Sequence, residues 1–280
     1  MPRTLCNYRL PFGTHAVYSL LPLALYLAAA ALQVRAAGLD RTARPRLPLA
    51  VALLGFAVHS FILFFAIRTP QGVALAIADS ASLVGWVVAG TVVVAMAVLR
   101  LAALPAPLLG LAGVLAIGTG VATGFRETHL PQWELKAHIC LAALAAGWLS
   151  IAAMVVTLLA LQDARLRARQ PLGTLALLPP METMEGTLFR ALGGGFVVLT
   201  LALVTGLFFV HDLAAQHLVH KVSLAIAAWL IFGVLLWGRW KFGWRGRQAL
   251  RFTLTGFVVL ALAYFGSKFV LENLLGRHWG

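Results

Sequence analysis

Eight stretches dominated by apolar residues follow one another along the chain, separated by short polar connections. Each stretch contains about 20 residues, which is enough for an α-helix to cross the hydrocarbon core of a bilayer. Prolines stand at or near many of the connections, where the missing N–H ends a helix. The pattern predicts spans over residues 14–34, 47–67, 80–99, 104–123, 135–161, 188–210, 221–240 and 250–273. We therefore predict an all-α fold, a polytopic transmembrane helical bundle, in which residues 1–280 form a single domain.

Composition agrees with this pattern. Of the 280 residues, 61% are hydrophobic and 11% are charged, whereas a soluble domain carries about 25% charged residues. The net charge of +13 does not indicate nucleic acid, because the basic residues occur in short groups between the apolar stretches. That arrangement is typical of the positive-inside rule, so the expected partner of the chain is the lipid bilayer.

The basic residues also predict an orientation. One alternating set of connections holds fourteen of the 22 basic residues, and the other set holds the remaining eight. We expect the richer set to be cytoplasmic, which places both termini on the outer, periplasmic side. The first apolar stretch is long and is followed at once by Arg35 and further arginines, so we interpret it as a retained span rather than a signal peptide.

Histidines are distributed unevenly between the two sides. Of the eight histidines, seven fall on the outer side: His15, His129, His138, His211, His217, His220 and His278. The remaining one, His59, lies inside the second span. Histidine does not direct topology, so this asymmetry indicates a ligand site at the outer face.

Two of these histidines occupy equivalent positions. His138 opens the fifth span and His220 opens the seventh. Two neutral imidazoles at equal depth on neighbouring helices can hold a haem iron from both sides. Glu134, one turn before His138, can orient that imidazole. The alternative is that His138 is an ordinary interfacial residue near the start of a helix.

Other arrangements of the polar residues remain open. His217 precedes His220 by three residues, a spacing that suits a divalent metal ion instead. His59 must find a partner in the membrane, and it either hydrogen-bonds to a neighbouring span or ligates a second, deeper cofactor. The sequence contains no P-loop, HExxH motif or catalytic triad pattern, so we do not expect an enzyme.

Five segments of the chain carry a family resemblance: 53–68, 78–86, 134–166, 178–209 and 220–272, the last beginning "HKVSLAIAAWLIFGVLLWGRW". Their order and spacing resemble the cytochrome c assembly membrane protein family (CcsA/CcmC-like), and within it the YpjD/HemX-type branch. The resemblance implies haem handling at the outer face of the bacterial inner membrane, with b-type, non-covalently bound haem held by external histidines.

The resemblance also assigns roles to individual residues. CcsA-type members present haem with two external histidines that flank a tryptophan-rich segment. His138 corresponds to the first histidine, and His278 lies close to the expected place of the second. The tryptophan-rich segment corresponds to "VHDLAAQHLVHKV", residues 210–222, which contains no tryptophan. We therefore predict a haem site that does not hand haem to CxxCH partners in the usual way.

The leading interpretation is a haem-binding inner-membrane protein related to cytochrome c biogenesis. His138 and His220 are the predicted axial ligands, with His278 and His59 as further candidates. Its expected partners are other cytochrome c biogenesis or haem-synthesis proteins. Two alternatives stay open: an accessory protein of divalent-metal transport or efflux, and a membrane scaffold that regulates haem synthesis through the cytoplasmic segment 162–187.

Overall fold

A computed structural model describes residues 12–40, 46–69, 72–73, 77–99, 101–121, 133–209 and 219–266. In chain order, the helices are α1 (Phe12–Leu39), α2 (Arg46–Ile67), α3 (Ile77–Val98), α4 (Pro105–Ala116), α5 (Gly118–Val121), α6 (Trp133–Arg167), α7 (Met181–Phe209), α8 (Val219–Phe242) and α9 (Arg247–Ala261). A 3-10 turn, Gly173–Leu177, lies between α6 and α7, and a π-helical turn, Leu262–Gly266, continues α9. Between α2 and α3, the two-residue strands β1 (Arg68–Thr69) and β2 (Gly72–Val73) pair antiparallel. Apart from this short pairing, the predicted all-α class is confirmed for the described residues.

Six helices in the described part of the chain are long and apolar enough to cross a membrane: Tyr18–Leu39, Arg46–Ile67, Asp79–Val98, Lys136–Arg167, Met181–Phe208 and Lys221–Phe242. The fourth predicted span forms the shorter apolar helix α4, followed by the single turn α5. The eighth begins as α9, and its predicted end lies outside the described residues. The chain is therefore a multi-pass membrane protein, whereas the count of eight spans and the side of the termini stay predictions.

Helix ends extend beyond the apolar stretches at the connection between α6 and α7. Arg165 and Arg167 lie in the last turn of α6, where their charge is favourable at the negative end of the helix dipole. Glu182 lies in the first turn of α7, where a carboxylate is favourable for the same reason. Pro180 immediately precedes α7 and supplies a backbone conformation suited to a helix start. These polar turns continue the helices past the region that hydropathy alone identifies.

The helices pack as two groups. α1 to α4 contact one another, α6 to α9 contact one another, and α3 against α6 is the principal contact between the groups. At this contact, a Cβ atom on Gly147 of α6 would lie 2.5 Å from Cγ1 of Val87 of α3. Only a glycine allows the two helices to approach so closely, which is the usual role of small residues in membrane helix packing.

Indole groups join neighbouring helices through hydroxyl groups. Three tryptophans donate in this way: Trp86 to Ser60 at 2.7 Å, Trp148 to Thr91 at 3.3 Å, and Trp229 to Thr200 at 2.8 Å. Each of these hydroxyl groups donates its own hydrogen to the carbonyl group four residues earlier in its helix. The oxygen can then act only as an acceptor, and it accepts a hydrogen bond from the indole N–H of the next helix.

Contacts between helix ends and connections define the two ends of the bundle. Gln33 Nε2 of α1 donates to the carbonyl of Ala102 at 2.6 Å, and the N–H of Ala103 donates to Leu177 at 3.1 Å. Arg239 at the end of α8 lies 3.9 Å from Glu185 near the start of α7. These contacts bring the end of α1 and the α3–α4, α6–α7 and α8–α9 connections together, and we call this the basic end. The start of α6, the end of α7 and the start of α8 form the opposite end, which we call the histidine end.

Candidate functional site

The structure describes the predicted ligands to different extents. The side chains of His138 and His59 are described, as is the backbone of His220 in the first turn of α8. Four further histidines lie outside the described residues: His129, His211, His217 and His278. The ligand roles of His220, His217 and His278 therefore stay predictions, as does the orientation of His138 by the side chain of Glu134.

His138 lies at the histidine end, near the start of α6 and against the last turns of α7. Its half-buried ring places Nδ1 3.2 Å from Oγ1 of Thr205. α7 ends at Phe209 and α8 begins at Val219, so the start of α8 lies at this same end. Along their helices the two histidines differ, since His138 is the sixth residue of α6 and His220 is the second residue of α8. Their pairing around one ligand stays a prediction.

The hydrogen bonds of Thr205 favour one tautomer of His138. Oγ1 of Thr205 lies 2.9 Å from the carbonyl oxygen of Leu201 and 3.0 Å from that of Ala202. We infer that the single hydrogen of this hydroxyl is donated to a carbonyl of its own helix, as at the three tryptophan contacts. The oxygen therefore accepts from Nδ1–H of His138. The Nε2 atom of the neutral ring consequently keeps its lone pair.

Gly206 provides the space for this imidazole. A Cβ atom at this position would lie 3.0 Å from Cε1 of His138, 3.5 Å from Nδ1 and 3.7 Å from Nε2. The ring therefore lies directly against the backbone of α7, and a side chain at residue 206 would press on it. Thr205 and Gly206 were not singled out by the sequence, where they are only a Thr–Gly pair inside the apolar stretch "LVTGLFF".

This arrangement suits the ligation of haem iron. A neutral imidazole ligates iron through one nitrogen, and a hydrogen bond from the other nitrogen fixes its tautomer and its orientation. His138 has the second feature in its contact with Thr205. The residues around His138 thus fit an axial ligand.

His59 is held differently. Its ring is completely buried in α2, with Nδ1 3.2 Å from the hydroxyl oxygen of Tyr26 in α1 and Nε2 2.9 Å from Oγ of Ser82 in α3. Of the two possibilities left open by the sequence, the hydrogen bond to neighbouring spans is therefore observed. Both ring nitrogens are engaged, so iron ligation by His59 would require the loss of one of these bonds. Ligation of a deeper cofactor by this residue stays a prediction.

The described residues contain no group of three His, Cys, Asp or Glu side chains placed to hold a metal ion. The loop that carries His211 and His217 lies outside those residues. The divalent-metal alternative stays a prediction.

Comparisons with known proteins give a consistent picture. The family model described as "Cytochrome C assembly protein" matches residues 47–275. The inner membrane protein YpjD of Escherichia coli K12 is 39% identical over 146 residues, which are 52% of this chain and 55% of that protein. The cytochrome c biogenesis protein CcsA of Nostoc punctiforme is 32% identical over 98 residues, 34% of this chain and 26% of that protein. The matched regions thus cover about half the length of the YpjD relative and about a quarter of the length of the CcsA relative. No solved structure shows significant similarity.

Proposed function

Because this chain belongs to the cytochrome c assembly protein family, and within it resembles the YpjD branch, we propose that it binds haem non-covalently at the histidine end of the bundle. One observation supports this most strongly: Nδ1 of the His138 ring lies 3.2 Å from Oγ1 of Thr205. In the tautomer that we infer from this contact, Nε2 keeps its lone pair. The relatives named above are an inner membrane protein and a cytochrome c biogenesis protein, and we propose the bacterial inner membrane as the location of this chain.

In this proposal each residue near the ligand has a separate task. His138 is one axial ligand, Thr205 accepts from Nδ1–H and holds the ring, and Gly206 leaves room for it. His220, which opens α8 at the same end, is the second axial ligand, with His278 as the alternative. His59 is a weaker candidate because its two nitrogens already bond to hydroxyl groups.

Haem supplies the iron and the redox chemistry, either as a b-type cofactor or as cargo on its way to cytochromes. The chain itself binds, orients and shields it, and we assign no bond-making step to its residues. With the orientation expected from the basic residues, this site would lie at the outer, periplasmic face of the inner membrane. Partners in this proposal are other proteins of cytochrome c biogenesis or of haem synthesis.

The test is an absorption spectrum of the detergent-purified protein, oxidised and reduced, beside the His138→Ala and His220→Ala variants. His129→Ala serves as the matched control, because it removes an imidazole of the same predicted side that we do not assign to the site. We expect a Soret band and sharp reduced bands that both variants lose and the control keeps. A protein that is colourless and takes up no added haem would refute the proposal, and divalent-ion binding would be measured next.

A further inference from the structure

Four basic side chains surround the turn between α8 and α9. Lys241, Arg245, Arg247 and Arg251 are exposed, and we call them the α8–α9 basic patch. None of them takes part in the ion pairs found among the described residues. The segment 219–266 contains no aspartate or glutamate, so the patch has no acidic neighbour along its own two helices. Its charge is therefore not balanced locally.

Three other exposed arginines at the basic end make contacts within the chain. Arg165 donates to the carbonyl of Pro171 at 3.2 Å, and Arg190 donates to the carbonyl of Gly186 at 3.2 Å. Arg167 pairs with the carboxylate of Asp163 at 2.8 Å. These three arginines provide an internal comparison for the patch, because they carry the same charge at the same end of the bundle.

The charges within the patch also repel one another. Arg247 and Arg251 are four residues apart on α9, which makes them neighbours on one helix face. Like charges in this arrangement destabilise a helix unless an anion lies between them. An anion bound at the patch would remove that repulsion.

The turn that presents the patch is well supported. The Trp244 ring packs on Gly238 and lies 5.1 Å from the ring of Phe252, and the carbonyl of Trp244 accepts from Arg239 at 3.4 Å. The guanidinium of Arg239 also lies 4.5 Å from the ring centre of Phe189 on α7. Packing against two helices holds the basic residues in a defined arrangement rather than on a free loop.

Apolar groups beside the patch indicate which kind of anion fits. Trp240 is 82% exposed and Phe242 is 64% exposed, at the level where aromatic rings sit among lipid headgroups. Along the same helix, Leu230, Val234 and Trp237 are also exposed, with a spacing that places them on one face leading away from the patch. An acyl chain would cover such a face, whereas a free inorganic anion would not.

We propose that the α8–α9 basic patch binds the headgroup phosphate of an anionic phospholipid, with its acyl chains along the exposed face of α8. This site is separate from the histidine end and does not depend on haem binding. It would fix the protein in the bilayer at the basic end through a bound lipid rather than through diffuse charge alone.

The test measures lipid binding to the purified full chain by native mass spectrometry, with phosphatidylglycerol and phosphatidylcholine offered in equal amounts. One variant combines Lys241→Gln, Arg245→Gln and Arg247→Gln. Each basic residue near a membrane surface contributes about fivefold to binding an anionic lipid, so we expect roughly a hundredfold weaker phosphatidylglycerol binding. The conservative pair Arg245→Lys and Arg247→Lys should bind nearly as the unchanged protein does, because the charge is kept.

The matched control combines Arg165→Gln, Arg167→Gln and Arg190→Gln, which removes the same charge from the same end. We expect this control to change phosphatidylglycerol binding by less than about fivefold. An equal loss in both triple variants would mean diffuse attraction and would overturn the proposal. Equal binding of phosphatidylcholine would overturn it as well. Displacement of the lipid by inorganic phosphate at constant ionic strength would point to a free-anion site instead.

Discussion

Replacing Thr205 by valine tests whether a hydroxyl group on α7 orients the proposed haem ligand. In the structure, Nδ1 of His138 lies 3.2 Å from Oγ1 of Thr205. Valine closely matches threonine in shape, but it has no oxygen to accept a hydrogen bond from Nδ1–H. The backbone hydrogen bonds of α7 are unaffected, since they do not involve the side chain. The substitution therefore removes the contact with His138 and the hydrogen bond from the hydroxyl to a carbonyl of its own helix, and it leaves the packing almost unchanged.

The expected effects on stability and on affinity differ in size. A hydrogen bond between helices of a membrane protein contributes about 0.6 kcal/mol on average and about 1.7 kcal/mol at most, so the loss of stability should be small. Loss of a group that orients a metal-bound histidine typically weakens metal binding by about 10–100-fold. We therefore expect Thr205→Val to weaken haem binding by roughly this factor while the protein still folds.

The assay is a titration of haem-free protein with haem, compared with thermal unfolding in the same detergent. Thr157→Val is the matched control, because Thr157 donates to the carbonyl of Ala153 at 2.7 Å and accepts no N–H from another helix in the described part of the chain. Unchanged haem affinity in Thr205→Val would refute the orienting role. Nitrogen NMR of His138 in the haem-free protein checks the tautomer separately, and a proton on Nε2 would contradict the assignment.

Two further predictions concern stability. His59→Leu should lower the unfolding temperature in detergent, because its two buried hydroxyl partners each lose a hydrogen bond at a cost of about 1–3 kcal/mol. The absorption bands of the proposed haem should persist in that variant, and their loss would instead assign iron ligation to His59. Gly147→Ala should destabilise by about 1–3 kcal/mol through overpacking against Val87. Gly110→Ala is its control, since a Cβ there meets no atom within 4 Å and should stabilise the helix by about 0.5–1 kcal/mol. Equal effects of the two alanine substitutions would contradict the close approach of α3 and α6.

Helix positions could be predicted from the sequence because apolar composition identifies segments that avoid water. The predicted span 47–67 corresponds closely to α2, Arg46–Ile67. The predicted span 135–161 ends earlier than α6, which continues to Arg167. Hydropathy detects the part of a helix that suits the bilayer, whereas backbone hydrogen bonds decide where the helix ends.

The candidate site could be predicted only in part. His138 was identifiable because it opens an apolar stretch on the side rich in histidine. Its partner Thr205 lies 67 residues away in the chain, and nothing in the sequence of α7 marks it among the other hydroxyl residues. The pairing depends on how α6 and α7 are rotated about their axes, which local sequence does not specify.

The membrane class, the approximate limits of the helices and the candidate histidines could all be predicted from the sequence, because they follow from local composition and order. The tertiary structure alone decided which polar side chains meet across helices: His138 with Thr205, and His59 with Tyr26 and Ser82. The physical reason is that burial in lipid depends on the average character of a segment. A hydrogen bond, by contrast, depends on direction and on distances defined to a few tenths of an ångström.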